Sequence, residues 1–562
     1  MPKTAYELQR EANIARNRAL IEQLELKSAV EALGFPSKSK SGSATAAKAK
    51  PIQPTKRVKK EKEAVDTPRR QSTRLKRAAA PVDLDESPAK RRRREKDEEE
   101  ERRREEEERL AAEERAREAR QPRHHDLDLS TLAMQEEWES GSLPGVQHLF
   151  TSLLATPNAR LPAEGDAFVL GDAKEAAEVT ALRERLSGMR VVARAKVTQE
   201  RVYSMAYHPE VTKDVIFVGD KHGQLGIWDV RAAPDEQDDE TPDVPASERE
   251  GGKYWRLQPH WPSTSKSSIS CIKFDPLDAH SVYTSAYDCT VRQLSFESGV
   301  AREVLSTDDV LITSIDLPLA SHEMWVSDTA GGLTHVDLRE NKARGRWYQL
   351  SDQKIGSVSV NPRNPAYLLT ASNSRSLKVW DSRKLAKIKP VAVGEDIDNE
   401  KVETFVKSPF GRGTLRAEFP HGKSVSSAYW DPRGRTIVST SYDDTLRLWD
   451  VNPSSLAKDG PFPNFKPFSQ LGHNCQTGRW LTVLKAQWSQ NPDVYPHFTI
   501  GSMKHSLDIL SCRGDLLASL SDKTVITAVQ AVTCSHPSIV ERAASGNGSG
   551  RCVLWAPEDL KI

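Results

Sequence analysis

A repeated pattern of short strands runs through most of the chain. Each copy has an alternating apolar strand ending in a turn, a second strand, a turn rich in Gly, Ser and Asp, and a third strand that often ends in Trp-Asp. The copies are Val202–Asp229, Ile269–Ser295, Ile312–Asp337, Ile355–Asp381, Val425–Asp450, Val483–Ser511 and Thr527–Trp555. One such unit cannot bury its apolar surface alone, so neighbouring copies must stack on each other.

The spacing of the third strands identifies the kind of repeat. Their anchor residues are Trp228, Leu294, Val336, Trp380, Trp449, Leu510 and Trp555. Successive anchors are 66, 42, 44, 69, 61 and 45 residues apart, and the shortest intervals match the roughly 40–45 residues of a WD40 blade. The longer intervals contain insertions, such as the acidic loop after Arg231. We therefore predict an all-β fold, a seven-bladed WD40 β-propeller.

The seventh copy has three strands, and a fourth must come from elsewhere. Met189–Val197 (MRVVARAKV) alternates like a strand and precedes the first copy. We expect it to complete the last blade, because closing the ring protects sheet edges that would otherwise remain unpaired.

The N-terminal region differs from the repeats in composition. Residues 6–33 place apolar side chains near helical spacing and stop at Gly34-Phe35-Pro36, as an amphipathic helix does. Residues 95–120 alternate acidic and basic side chains at helical spacing, which favours a solvated helix. The sequence predicts four regions: an amphipathic helix in 1–35, a disordered basic tail and charged helix in 36–125, a lead-in segment in 126–188, and the propeller in 189–562.

The tail is strongly basic although the whole chain has a net charge of only +1. Between Lys38 and Arg94 there are nineteen Lys or Arg and six Asp or Glu, too little apolar surface for a packed core. Two clusters fit nuclear import or nucleic-acid binding; a solvated spacer is the alternative. The clustered residues are Lys56, Arg57, Lys59, Lys60, Lys90, Arg91, Arg92, Arg93 and Arg94. We expect a nuclear protein.

Propeller connectivity places several basic residues on one face. Links from a fourth strand to the next first strand, and turns from a second to a third strand, emerge together; we call this the upper face. It carries Arg201, Lys221, Lys354, Lys423, Arg479, Trp480 and Lys504, together with the acids Asp220, Asp288, Asp352 and Asp443. Lys and Arg neutralise phosphates, and an aromatic ring can stack on bases or wedge between them. The alternative for Trp480 is that its ring folds back onto its own blade.

Four repeat segments, RVYSMAYHP, GDKHGQLGIW, ISCIKFDPL and LTVLKAQW, and the start YELQREANIARNRALIEQLEL carry a family resemblance. The chain resembles the fungal nuclear WD-repeat DNA-damage-binding proteins, also called changed-mutation-rate proteins. Its propeller is similar to the smaller subunit of the UV-damaged-DNA-binding complex.

The resemblance implies DNA contacts at specific positions. In that subunit a hairpin before the sixth blade inserts an aromatic-containing tip into the damaged duplex. Thr477–Thr482 (TGRWLT) matches that hairpin, with Gly478 in place of an aromatic, Arg479 in place of a polar residue and Trp480 in place of an imidazole. Arg201, Lys221 and Lys354 match its phosphate-contacting positions.

The opposite, lower face carries a second pattern. Asp-x-Arg ends three third strands and places Arg231, Arg339 and Arg383 there. The pattern resembles the WDxR box of propellers that dock on the adaptor of cullin-4 ubiquitin ligases. The alternative is a structural role within each blade, in which the Asp bonds its own turn and the Arg packs or pairs locally.

Catalytic and cofactor motifs are lacking in the sequence. It has no GxSxG, phosphate loop or HExxH, its six cysteines form no CxxC pair, and it contains no membrane-length apolar run. We expect a soluble intracellular protein without enzymatic activity, cofactor, metal or small-molecule substrate. It would bind duplex DNA, and also single strands, with a preference for UV-damaged DNA; the alternative is an interaction hub for chromatin proteins or a cullin-4 ligase.

Overall fold

The computed structural model describes residues 123–133, 143–155, 173–233, 250–319, 321–340, 345–389 and 396–558. The predicted helix in residues 1–35, the tail and charged helix up to residue 122, and both basic clusters lie outside the described residues.

Within the described residues, twenty-eight strands form seven four-stranded antiparallel sheets. The strands are β1 Met189–Lys196, β2 Val202–Tyr207, β3 Val215–Asp220, β4 Leu225–Asp229, β5 Lys253–Leu257, β6 Ile269–Phe274, β7 Ser281–Ala286, β8 Thr290–Ser295, β9 Ala301–Ser306, β10 Ile312–Asp316, β11 Glu323–Asp328, β12 Gly332–Asp337, β13 Arg346–Gln349, β14 Ile355–Val360, β15 Tyr367–Ser372, β16 Ser376–Asp381, β17 Leu415–Pro420, β18 Val425–Trp430, β19 Thr436–Ser441, β20 Thr445–Asp450, β21 Ser469–Gly472, β22 Gln487–Trp488, β23 His497–Gly501, β24 Leu507–Ser511, β25 Leu516–Leu520, β26 Gln530–Ser535, β27 Ala543–Asn547 and β28 Arg551–Pro557.

The sheets follow chain order, four consecutive strands to a blade, from β2–β5 in blade one to β22–β25 in blade six. Blade seven has the order β1-β28-β27-β26, so the strand before blade one supplies its outer edge. Met189 pairs with Pro557 and Lys196 with Arg551 in this ladder. The predicted seven-bladed propeller is confirmed, and the ring closes through the predicted strand.

The core lies between neighbouring blades. Every residue of the second strands β3, β7, β15 and β19 is buried, because blades cover both faces of these strands. Phe217 of blade one meets Phe274 of blade two edge to face, with ring centroids 5.1 Å apart. Gly219 permits this close approach, since a Cβ there would lie 2.6 Å from the Ile269 side chain of blade two. Stacking of this kind is what the repeat pattern requires.

A few helices and short bridges surround the ring. The helices in the described residues are α1 Leu129–Leu132, α2 Leu143–Leu153, α3 Ala173–Ser187, α4 Ser382–Leu385, α5 Asn399–Lys407 and α6 Pro453–Ala457, with a 3₁₀ turn at Ser265–Ser267. None of them combines the length and apolarity that a membrane crossing demands.

The segment before β1 is attached to the outside of the propeller. Leu127 forms an antiparallel bridge with Ala301 of blade two, and Ala133 forms one with Leu257 of blade one. Helix α2 buries Phe150 against Phe296, with ring centroids 4.9 Å apart. These contacts cover outer strands β5 and β9, edges that would otherwise stay unpaired.

The inner strand of blade six differs from the expectation. The sequence predicts a strand starting at Val483, but only Gln487–Trp488 pairs in the sheet, as β22. The alternation persists, since Leu484, Ala486 and Trp488 are buried, but the backbone bonds elsewhere: Ala486 N donates to Thr440 Oγ1 at 3.1 Å. The alternation of apolar residues therefore indicates which side chains are buried, but it does not determine which partners the backbone hydrogen-bonds to.

Candidate nucleic-acid interface

Three of the predicted basic residues meet on the upper face. Arg201 directly precedes β2, and Lys221 lies in the turn from β3 to β4. The Lys221 N–H donates to the Arg201 carbonyl at 2.9 Å. The Arg201 guanidinium donates to the Arg479 carbonyl at 3.2 Å, although 278 residues separate the two in sequence. Tertiary structure thus joins blade one to the segment that carries Trp480.

That segment, His473–Ala486, connects β21 to β22, and we call it the crossing loop. At its start, the Cys475 N–H donates to Asp444 Oδ1 at 2.9 Å, and the hydroxyls of Thr477 and Tyr442 lie 3.2 Å apart. At its end, Thr482 Oγ1 donates to the Val202 carbonyl at 2.5 Å. The first anchors belong to blade five and the last to blade one, although the loop leads into blade six. The loop is therefore held at both ends by blades that are not neighbours in the ring.

Trp480 stands at the free tip of this loop. Its side chain is 83% exposed, and among the described residues it makes no ring or cation contact. Gly478 has a φ of +58°, a left-handed conformation that suits glycine. The ring therefore does not fold back onto its own blade. Burying an indole is worth about 1.5–3 kcal/mol, so the chain forgoes that stabilisation at this position.

The other predicted cations are distributed around the same face. Lys354 directly precedes β14, and its Nζ donates to the Tyr287 hydroxyl at 3.1 Å while lying 5.4 Å from the centre of that ring. Lys423 precedes β18 by two residues and Lys504 lies in the turn from β23 to β24; both are exposed. The structure thus brings together Arg201, Lys221 and Arg479 and leaves Lys423 and Lys504 as separate surface charges.

Two of the four acids on this face point inward. Asp220 is 1% and Asp288 is 5% exposed. Asp220 accepts bonds from the N–H groups of His222 and Gln224, and burial raises its pKa to about 6. Asp288 lies 3.0 Å from His260 Nδ1. With these carboxylates withdrawn into their turns, the upper face presents more positive charge than its sequence suggests.

Other reactive groups near the loop are structural. Burial raises the pKa of the Cys475 thiol to about 12, so it is not a thiolate near neutral pH. His473 is half-buried beside it, and burial lowers the His473 pKa. Among the described residues no cluster of three or more His, Cys, Asp or Glu side chains is arranged to hold a metal ion.

The three arginines of the lower face pair locally. Arg383 and Arg339 each form two bonds to the carboxylate two residues earlier, Asp381 and Asp337. Arg231 instead reaches Asp214 at 2.5 Å. The side chains of Arg339 and Arg383 remain 70% and 59% exposed, whereas that of Arg231 is 28% exposed.

Sequence reasoning missed the anchors of the crossing loop. Tyr442 and Asp444 lie in the turn from β19 to β20 of blade five, whereas Thr482 bonds to Val202 of blade one. Nothing in their local sequence marks these residues as anchors of the loop. It also missed Arg123, whose guanidinium lies 3.9 Å above the Trp261 ring. Trp261 follows β5, on the link to β6, so this stacked pair adds a cation and an aromatic ring to the upper face.

Comparison with known proteins agrees with this architecture. Residues 413–450 match the WD domain, G-beta repeat family. A protein of Cryptococcus neoformans var. neoformans named DNA damage-binding protein CMR1 is 37% identical over 99% of both chains. Proteins of the same name from Mycosarcoma maydis and Phaeosphaeria nodorum are 30% and 32% identical over 98% of this chain. This chain belongs to the fungal DNA damage-binding protein CMR1 family.

The similarity to CMR1 proteins extends beyond the propeller, because it spans 99% of the chain and so includes the basic N-terminal region.

The G-beta repeat match also clarifies the ring closure. It covers β17 of blade four and then β18–β20 of blade five, so the sequence repeat is offset by one strand from the blade. Because of this offset, β1 is left before blade one and β26–β28 are left after blade six, and these four strands together form blade seven.

Proposed function

We propose that this protein binds duplex DNA through its upper face and prefers duplexes distorted by UV damage, acting in the nucleus by binding rather than by catalysis. One observation carries the proposal: an 83% exposed Trp480 stands on a loop anchored at both ends between cations. The name of its CMR1 relatives, DNA damage-binding protein, supports the same function.

The basic side chains would supply overall affinity for DNA, and Trp480 would supply the preference for damaged duplexes. Arg479, Lys221, Lys354, Lys423 and Lys504 would neutralise phosphates, which contributes sequence-independent, salt-sensitive affinity. Trp480 would enter the stack at a weakened step, where part of the unstacking cost has already been met by the lesion. Arg201 would act mainly by holding the loop, because its guanidinium donates to the Arg479 carbonyl.

The deciding experiment is a titration of the full chain with intact and UV-irradiated duplexes of one sequence at several salt concentrations. Trp480→Ala should lose about 1–3 kcal/mol of binding per stacked base, and more on irradiated than on intact DNA. Its thermal midpoint should stay unchanged, because an exposed ring contributes little packing. Equal losses on both duplexes would leave Trp480 a nonspecific contact, and full binding by the variant would refute the proposal.

The basic tail would direct nuclear import and add affinity for any nucleic acid, including single strands. Replacing Lys90–Arg94 and Lys56–Lys60 with alanine should move a fluorescent fusion to the cytoplasm, since import signals are read through clustered charge. The same variant should bind DNA with a shallower salt dependence. Undiminished nuclear accumulation would contradict the import assignment.

The exposed guanidiniums of the lower face favour a second candidate function, docking on a protein partner such as a cullin-4 ligase adaptor or a chromatin protein. Asp381 and Asp337 fix the orientation of Arg383 and Arg339, and more than half of each arginine side chain stays accessible. Arg383→Ala should abolish binding of the purified adaptor and leave DNA binding intact. Arg231→Ala tests the same surface at the least exposed of the three arginines. Adaptor binding that survives both changes would exclude this face.

A further inference from the structure

The most exposed large apolar side chain among the described residues is Phe410, at 86%. It lies in the link between β16 and β17, a third-to-fourth-strand connection, and therefore on the lower face, away from Trp480. A lone exposed apolar residue is unremarkable on a mobile surface loop. The surroundings of Phe410 differ, because its loop is held from several sides.

Short bonds brace the backbone on both sides of the ring. Ser408 Oγ donates to the Phe405 carbonyl at 2.6 Å, and the Gly411 N–H donates to the Ser408 carbonyl at 3.2 Å. Lys384 Nζ donates to the Arg412 carbonyl at 2.6 Å. A Cβ at Gly411 would lie 1.8 Å from the Phe405 carbonyl oxygen, so the loop packs tightly on α5. These bonds hold the backbone on both sides of Phe410, which presents its ring to solvent.

The charges on the segments that meet at the Phe410 loop are mixed, with a positive excess. Arg412 and Lys387 are exposed and have no acidic partner among the described residues, and the Arg383 side chain is 59% exposed beside its own carboxylate. Asp459, 86% exposed, lies 3.5 Å from Lys384 Nζ. A polyanion such as DNA would meet repulsion from Asp459, whereas a protein surface can place a donor there and carboxylates opposite the cations.

We propose that Phe410 is the anchor of a protein-docking surface whose partner offers an apolar pocket bordered by carboxylates. Aromatic and arginine side chains dominate the binding energy of protein interfaces, and a loop whose backbone is already braced loses less entropy on docking than an unbraced one. This inference does not rest on the proposed DNA binding, because the two surfaces lie on opposite faces of the ring.

The test begins with a photo-crosslinking amino acid at position 410 of the full chain in fungal cells, with position 516 as the matched site, since Leu516 is 52% exposed on β25. The crosslinked protein is identified, purified and titrated against wild type, Phe410→Ala and Leu516→Ala. Phe410→Ala should weaken its binding about 30-fold, the loss typical of an interface anchor, and Leu516→Ala should leave it within about twofold.

Arg412→Glu provides a second variant that leaves the ring in place. It should weaken binding of the same protein roughly tenfold at low salt and less at high salt, because the interaction is between opposite charges. An unchanged thermal midpoint in both variants would show that the propeller is intact. Crosslinks to DNA or to a second copy of this chain, crosslinks no stronger than at position 516, or equal affinity of wild type and Phe410→Ala would each overturn the proposal.

Discussion

Trp480 and Arg479 are adjacent in sequence but have different physical roles at the tip of the crossing loop. The indole offers a π-face and apolar area, whose interaction depends on how well the bases are stacked. The guanidinium offers charge, whose interaction with phosphates is nearly independent of base stacking. Gly478, with φ at +58° and open space where a Cβ would lie, keeps the approach to both side chains clear.

Arg479→Ala should weaken binding to intact and irradiated duplexes by the same factor, because a phosphate contact reads no base. The slope of log K against log salt should fall by about one phosphate contact. The measurement is a salt titration of the full chain beside Lys458→Ala as a lower-face control, since Lys458 is exposed next to α6. A loss confined to irradiated DNA would mean that Arg479 helps to read the lesion.

At the scale of the element, the crossing loop is not a paired hairpin but a loop held at both ends by hydrogen bonds to other blades, and we call this double anchoring the clamp. Strand pairing ends at Gly472 and resumes at Gln487, and hydrogen bonds to blades five and one replace the missing ladder. Anchoring of this kind lowers the entropy lost when the tip enters a duplex. It also explains how an exposed indole can be presented without a hairpin beneath it.

Thr482→Val tests the clamp, because valine keeps the size of the side chain and removes the bond to the Val202 carbonyl. The free energy of unfolding should fall by about 1 kcal/mol, the usual value of one buried hydrogen bond. Affinity for irradiated DNA should fall several-fold although Thr482 itself is buried. Thr524→Val is the matched control, since among the described residues the Thr524 side chain bonds only to Asp522 of its own exposed turn. Unaltered DNA affinity would show that the tip needs no clamp.

At the scale of the whole molecule, buried histidines set the response to acid. His208 is fully buried with its Nε2 3.2 Å from the Ala279 carbonyl, and burial lowers its pKa to about 4. Burial likewise lowers the pKa of His421 to about 4. Both folded values lie below the unfolded value near 6.5, so the stability that the neutral rings contribute is complete above pH 6.5 and is lost as pH falls toward 4.

The free energy of unfolding should therefore drop between pH 6.5 and 4, by up to about 3 kcal/mol for each ring. Asp220 opposes this trend, because its raised pKa makes the folded state more stable as pH falls from about 6. Denaturant titrations at a series of pH values should show a shallower dependence in His208→Gln than in wild type. The exposed His322→Gln variant should keep the wild-type dependence; identical slopes for all three would rule out His208 as a source.

The sequence alone determined the number of blades, the closing strand and the face on which each loop emerges. These features follow from local alternation and from the spacing of like segments, because a repeat that must stack on its neighbours has few arrangements available. The sequence left two interpretations of Trp480 open, an exposed ring and a ring folded back onto its own blade. The position of a loop does not determine how its side chains are oriented.

Only the tertiary structure decided how the candidate site is assembled. The bond from Thr482 to Val202 joins residues 280 positions apart, and the bond from Arg201 to Arg479 joins residues 278 apart. No local pattern encodes such pairs, because they depend on the curvature that brings blade six near blade one. For the same reason the inward turn of Asp220 and the outward display of Phe410 became visible only in the folded ring, where packing between elements decides which side chains meet water.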